Sequence, residues 1–256
     1  MIRLRQVALV ARDLDPVVAD LAAVFGLKVA YRDPAVATYG LVNAVLPFGG
    51  EFIEIVQPVT PDASAARYLE RRGGDAGYML IFQVPDALRH RVRLEEQGIR
   101  TIAKLDRPDY TFTHFHPADF NGVLTSIDTQ DDGRSWRDRL GPWTPAGPDW
   151  QASMAEPGIA GIMGARIQAD DPAAVAQRWA GLLESETIPG HPAAIRLDNG
   201  TIEFTEASGR AGTGFTALDL AVVDPDLYVG RAESFGIETA ECAVTIGGVA
   251  MRLHHV

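Results

Sequence analysis

The chain is poor in the residues from which cross-linked and metal-stapled folds are made. Its 256 residues include one cysteine, Cys242, which excludes an internal disulfide and any multi-cysteine zinc site and fits a reducing compartment. Cys242 itself is expected to be a small buried apolar residue. Cationic side chains are also scarce: 23 Lys and Arg stand against 34 Asp and Glu, a net charge of −11, whereas a nucleic-acid surface needs the opposite balance. The basic clusters Arg71-Arg72 and Arg89 to Arg93 are short and read as solvated helix faces. No run of about 18 apolar residues is present to span a membrane. The N-terminal MIRLRQVALVARDLD has too short an apolar run, broken at Arg12 and Asp13, to be a signal peptide. These absences point to a cytoplasmic protein that works on neither nucleic acid nor membrane.

What is present is an ordinary globular composition, 46% hydrophobic and 22% charged, enough for a sizeable core. One stretch stands out, GGEFIEIVQP at 49–58. In a strand, side chains alternate, so Phe52, Glu54 and Val56 share one face and Ile53, Ile55 and Gln57 the other. If both faces are covered, Glu54 must be paired, hydrogen-bonded, metal-bound or protonated. If its face is open to water, it is merely solvated.

The order of elements repeats. Residues 3–11 read as a strand, and Asp13, Asp15 and Pro16 open a helix that Gly26 ends. Strands follow at 27–31, 39–46 and 51–57. After a helix or loop over 64–72 the pattern recurs: a strand at YMLIFQV, a helix from Asp86 to Gln97, and strands near 99–104, 111–116 and 122–128. Residues 131–158, with three Trp and four Pro, break the rhythm as a connector whose tryptophans should pack against something. The pattern then restarts. NGTIEFTEA at 199–207 repeats GGEFIEIVQ, placing Glu203 over Glu54, and FQVPDALRHRVRLEEQGI at 82–99 lies over LAVVDPDLYVGRAESFGI at 220–237. Four copies of a βαβββ unit predict an α+β fold of two tandem domains, 1–130 and 159–256, joined by the connector at 131–158.

With QVALVARDLDP at the start, FIEIVQP at 52–58, MLIFQVPD at 79–86 and HPADFNGVLTSID at 116–128, the chain resembles the vicinal oxygen chelate superfamily. Its members include glyoxalase I, methylmalonyl-CoA epimerase, fosfomycin and bleomycin resistance proteins, and extradiol dioxygenases. The resemblance implies glyoxalase/bleomycin resistance/dioxygenase-type domains, each a U-shaped sheet around a metal held from the first and last strands of both units. At those places stand Gln6, Glu54, Met79 and Ser126. The usual His and second Glu are thus replaced by a thioether and a hydroxyl, which are poor ligands for a divalent ion. No tightly bound cofactor or metal is expected, although Gln6 and Glu54 could hold a divalent ion weakly. An extradiol dioxygenase is not expected. In the second domain Gly164, Glu203, Ala217 and Arg252 occupy the same places, and an ion pair of Arg252 with Glu203 should fill the former metal position.

His114 and His116 are two apart and would share a face of one strand, which suggests a ligand pair or, more simply, polar groups that bond a substrate. The first functional expectation is a lyase or isomerase in which Glu54 acts as general base on a carbon beside a carbonyl, with His116, Tyr78 or Gln6 bonding the enolate. The second is a non-catalytic protein of the bleomycin-resistance type that sequesters a small molecule against Tyr39, Phe48, Phe52 and Tyr78. Gln6, Tyr78, Met79, His114, Ser126 and Phe52 are the expected substrate-binding residues, and Glu54 and His116 the catalytic ones. Domains of this resemblance pair within a chain or between chains, so a homodimer is compatible with the sequence.

Overall fold

The structure is a computed structural model that describes residues 1–131, 136–155, 157–207 and 212–256. The first unit is β1 (Arg3–Val10), α1 (Leu14–Phe25), β2 (Leu41–Phe48) and β3 (Glu51–Pro58). Asp13 caps α1, accepting a hydrogen bond from the Asp15 amide, and Gly26, at φ 67°, ends it in the left-handed conformation that glycine adopts without cost. The segment 27–31, expected as a strand, makes only one bridge, Tyr31 to Val45. Helix α2 (Ser64–Arg72) leads to the second unit: β4 (Ala76–Gln83), α3 (Ala87–Glu96), β5 (Thr101–Asp106), β6 (Tyr110–Phe115) and β7 (Leu124–Gln130). The third unit is β8 (Ile159–Ala169), α4 (Pro172–Leu183), β9 (Thr187–Ile188), β10 (His191–Leu197) and β11 (Gly200–Glu206). The fourth is β12 (Gly214–Val222), α5 (Pro225–Ser234), β13 (Thr239–Ala240), β14 (Ala243–Ile246) and β15 (Val249–His255).

These strands form two open mixed sheets. The first runs β2-β3-β1-β4-β7-β6-β5 and the second β13-β14-β15-β12-β8-β11-β10-β9. In each, the opening strand of a unit pairs parallel with that unit's last strand and antiparallel with the opening strand of its sister unit. One face of each sheet meets the other sheet and the helices in a shared core. Trp179 of α4 packs on Phe82, Phe120 and Phe204, and Phe25 of α1 on Tyr228 of α5. Close approach needs Gly77, where a Cβ would lie 2.4 Å from the Phe215 ring. Phe48, expected at the ligand site, belongs to this shared core.

The opposite face of the first sheet is covered by two segments. Ala65, Tyr68 and Leu69 of α2 lie on Val10, Leu41, Val56 and Ala76. At the other end Trp143, Ala146 and Trp150 of the connector lie on Ala8, Val45, Phe52, Met79, Ile81 and Tyr110. The connector is fastened by two buried arginines of β1. Arg3 donates to the carbonyls of Arg137 and Asp138, and Arg5 to those of Gly50, Arg139 and Gly141. The Arg5 guanidinium stands 5.0 to 5.8 Å from the rings of Phe52, Trp143 and Trp150, a cage that offsets part of its desolvation. Burial still lowers its pKa to about 9.

Two sequence expectations are corrected by these surroundings. Cys242 is exposed rather than buried. Arg91 is buried and paired with Asp106 at 2.7 Å, so the α3 basic cluster is not simply a solvated face. No helix among the described residues is long and apolar enough to cross a membrane.

Candidate functional site

Strand register gathers the expected residues into two adjacent rows across the first sheet, between the α2 cover and the connector. One row runs Phe52, Gln6, Ile81, Ser126, His114 over β3, β1, β4, β7 and β6. The next runs Glu54, Ala8, Met79, Leu124. Because side chains two apart share a face, both rows look toward the same strip. Tyr78, at a register shift of β4, packs beside it and meets Tyr68 edge-on at 5.2 Å.

Glu54 is 7% exposed. Asn43 Nδ2 donates to its Oε1 at 2.7 Å and Gln6 Nε2 to its Oε2 at 2.9 Å. It has no salt-bridge partner among the described residues. Burial raises its pKa; the two amide donors oppose that rise and the charge of Asp33 adds to it. Asn43 was missed by the sequence reading. Its Oδ1 accepts from the Asp33 amide at 2.8 Å, and it borders a surface cavity of about 340 Å³ shared with Arg32 and Pro34.

Trp143 closes the other end of the strip. Its indole Nε1 donates to Gln6 Oε1 at 2.6 Å, and its ring lies 6.4 Å from Phe52 and 5.9 Å from Tyr110. The carbonyl oxygen of Gln6 is therefore occupied, and its amide points at Glu54. With Met79 and Ser126 at the other two positions, this donor set does not fit a divalent ion. No group of three or more His, Cys, Asp or Glu able to hold a metal exists among the described residues.

A second buried acid, Asp128, lies two residues beyond Ser126 on the same face of β7. Tyr110 Oη and Ser126 Oγ both donate to it, while burial pushes its carboxyl up to about 7. The Tyr110 phenol is held well above its usual value, first by burial and then by Asp128, with Glu54 and Asp33 adding to it. Asp128 and Tyr110 could have been found from the period-two pattern running on from Ser126 and His114. Trp143 carried no such signal.

His116 is not part of the strip. Strand β6 ends at Phe115, and His116 caps the short turn Pro117–Phe120, where its Nδ1 accepts from the Ala118 amide at 3.1 Å. The expected pair of histidines on one strand is thus a single strand residue, His114. On the second sheet, Glu203 is paired at 2.8 Å with Arg166 rather than with Arg252, which turns to Asp219 at 3.3 Å. Arg166 also reaches Asp219, and His191 and His254 complete the cluster.

Two consecutive pairs of βαβββ units, each pair building one open mixed sheet, define a tandem glyoxalase-type fold of the vicinal oxygen chelate superfamily. The chain belongs to the family described as the glyoxalase-like domain, whose model matches residues 7–183. Over 131 residues it is 27% identical to an ethylmalonyl-CoA/methylmalonyl-CoA epimerase of Cereibacter sphaeroides, covering 49% of this chain and 96% of that protein. Among solved structures, a hypothetical protein from Staphylococcus aureus aligns over 100% of both chains at 9% identity with a TM-score of 0.67, a likeness of fold. A Streptomyces coelicolor methylmalonyl-CoA epimerase variant, solved with 2-nitronate-propionyl-CoA, aligns at 20% identity and a TM-score of 0.45. That alignment covers 50% of this chain and 96% of that one.

Proposed function

We propose that this protein catalyses an isomerase-type proton transfer on a small organic molecule, at a carbon beside a carbonyl, with Glu54 as the general base. The observation that carries the reading is Glu54 itself: a buried carboxyl held by two carboxamides, with no cation paired to it among the described residues. A carboxylate so placed is a stronger base than one in water, because abstraction of a proton relieves its desolvation. Asn43 and Gln6 fix both oxygens, so the group is aimed before substrate arrives. The reaction is proposed to need no tightly held metal, since the oxygen that Gln6 could offer one is already bonded to Trp143. The similarity to an epimerase of CoA thioesters makes methylmalonyl-CoA a suitable probe.

One observation favours a second reading, a binder without turnover: part of the sheet's outer face is filled by the chain's own Trp143 and Trp150. Incubation with methylmalonyl-CoA in D₂O separates the two. An isomerase incorporates deuterium at the carbon beside the thioester, and Glu54→Gln lowers that rate by about 10²- to 10⁴-fold. Binding without incorporation by the wild type supports the sequestering protein. Incorporation unchanged by Glu54→Gln overturns the assignment of the base.

A further inference from the structure

The strip holds a second polar chain, on the β6 and β7 side. His114 Nδ1 lies 2.9 Å from Ser126 Oγ, and that hydroxyl bonds Asp128 Oδ1. Tyr110 donates to Asp128 Oδ2. Ser126 and Asp128 are fully buried, whereas His114 keeps part of its ring exposed. The imidazole is sandwiched: Phe112 stacks on it at 4.3 Å and Tyr39 stands 6.4 Å away. Tyr39 precedes β2 at one edge of the sheet, so its contact with β6 brings the Glu54 side of the strip toward the His114 side.

Ser126 has one hydroxyl proton, and of its two oxygen acceptors Asp128 Oδ1 is closer than the Thr113 carbonyl at 3.3 Å. With that proton on either oxygen the hydroxyl offers His114 only lone pairs, so His114 Nδ1 carries the imidazole proton and Nε2 keeps its lone pair. We propose that His114 is a second acid/base residue of this site, opposite Glu54, with Ser126 and Asp128 as the residues that position it. This rests on the isomerase reading above and deepens it.

The proton balance closes without any co-reactant. For one epimer, Glu54 as carboxylate takes the proton as the C–H bond breaks and its electron pair moves to the carbonyl oxygen. Imidazolium Nε2 of His114 then delivers a proton to the other face as the enolate collapses. This leaves Glu54 protonated and His114 neutral, which is the state needed to run the opposite epimer backward through the same enolate. Burial favours that state, since it raises the Glu54 pKa and lowers that of His114 to about 4.

The first test reads the imidazole nitrogens by ¹⁵N NMR, with His114 assigned by its loss in His114→Gln. The wild type should show the Nδ1–H tautomer, Ser126→Ala should lose it, and Ser126→Thr, which keeps the hydroxyl, should restore it. An Nε2–H tautomer in the wild type overturns the positioning chain. The same spectra show whether each variant is folded. The second test follows deuterium uptake into each epimer of methylmalonyl-CoA separately. His114→Gln should slow uptake into one epimer by about 10²-fold or more and spare the other, and Glu54→Gln should do the reverse. Wild-type rates for both epimers in His114→Gln overturn the second-base role. No uptake by the wild type overturns the Glu54 reading, and the His114 role falls with it, whichever tautomer is seen.

Discussion

The two sheets place an acid at the same strand position and treat it in opposite ways. Glu54 on β3 stands across from Ala8 of β1, whereas Glu203 on β11 stands across from Arg166 of β8. The small partner leaves Glu54 without a cation among the described residues, and the connector and α2 then shut most water away from it. The large partner neutralises Glu203, and the face around it stays partly exposed, with side-chain exposure of 21% at Arg166 and 43% at Arg252. One residue on a neighbouring strand therefore separates a carboxyl under electrostatic tension from one at rest. Tension of that kind suits proton transfer, and a resting ion pair suits structure.

A second pair of acids, at different strand positions, shows the same contrast. Among the described residues Asp128 of β7 is held by neutral hydroxyls, and Asp219 of β12 by Arg166, Arg252 and His254. Substitutions can attack this difference from both sides.

The largest effect is expected at Trp143. Trp143→Ala removes the indole that seals the first face, and should cost about 3–5 kcal/mol in a urea titration. It also frees Gln6 Oε1 and lets water reach Glu54. Arg5→Ala should cost about 3 kcal/mol by the same measurement, because the carbonyls of Gly50, Arg139 and Gly141 lose a charged donor. Both results would show that the connector is what distinguishes the first face. Arg166→Ala strikes the second face, and half-exposed ion pairs are worth little, so about 1 kcal/mol is expected. If that variant proves as damaging as Arg5→Ala, the second face is not at rest and the comparison fails.

Asp128→Asn tests the tension through pH. The carboxyl is held up to about 7 in the folded protein, against about 3.9 in an unfolded chain, so folding tightens its proton. Its contribution to stability is complete below about pH 4 and is lost as pH rises to about 7. His114 works the other way: its pKa is depressed to about 4, so its contribution is complete above about pH 6.5 and is lost as pH falls toward 4. Asp128→Asn removes only the first term. The variant should therefore gain on the wild type steadily from pH 4 to pH 7, read as the difference in urea midpoint. The smallest effect is expected from Mn, Zn, Ni or Co ions, which should leave the melting temperature unchanged within about 1 °C, since ligand stabilisation requires binding to the folded state.

Much of this was legible before any coordinates. Alternation in FIEIVQP put Glu54 on the face with Phe52, and the offset copies put Glu203 in its place on the second sheet. Asp13 and Gly26 marked the ends of α1 because a side-chain cap and a left-handed residue are local requirements. The partner of Glu203 was within reach as well: the copy that sets Gly164 over Gln6 also sets Arg166 over Ala8. Arg252 stands three strands from Glu203, with β12 and β8 between them, and reaches Asp219 on the neighbouring strand instead. His116 lies off the strip because strand β6 stops one residue early, at a proline-led turn whose cap it provides.

Trp143 and Arg5 were of another kind. The residues that Trp143 meets lie 137 positions earlier at Gln6 and 33 earlier at Tyr110, and no periodicity in a connector encodes such contacts. By itself, the sequence determined which residues are strand, which face each side chain takes, and that the unit occurs four times, because these follow from short-range backbone geometry. Only the tertiary structure decided which acids are dry and which are paired. Solvation belongs to the space around a group, and here that space is filled by a segment far away along the chain.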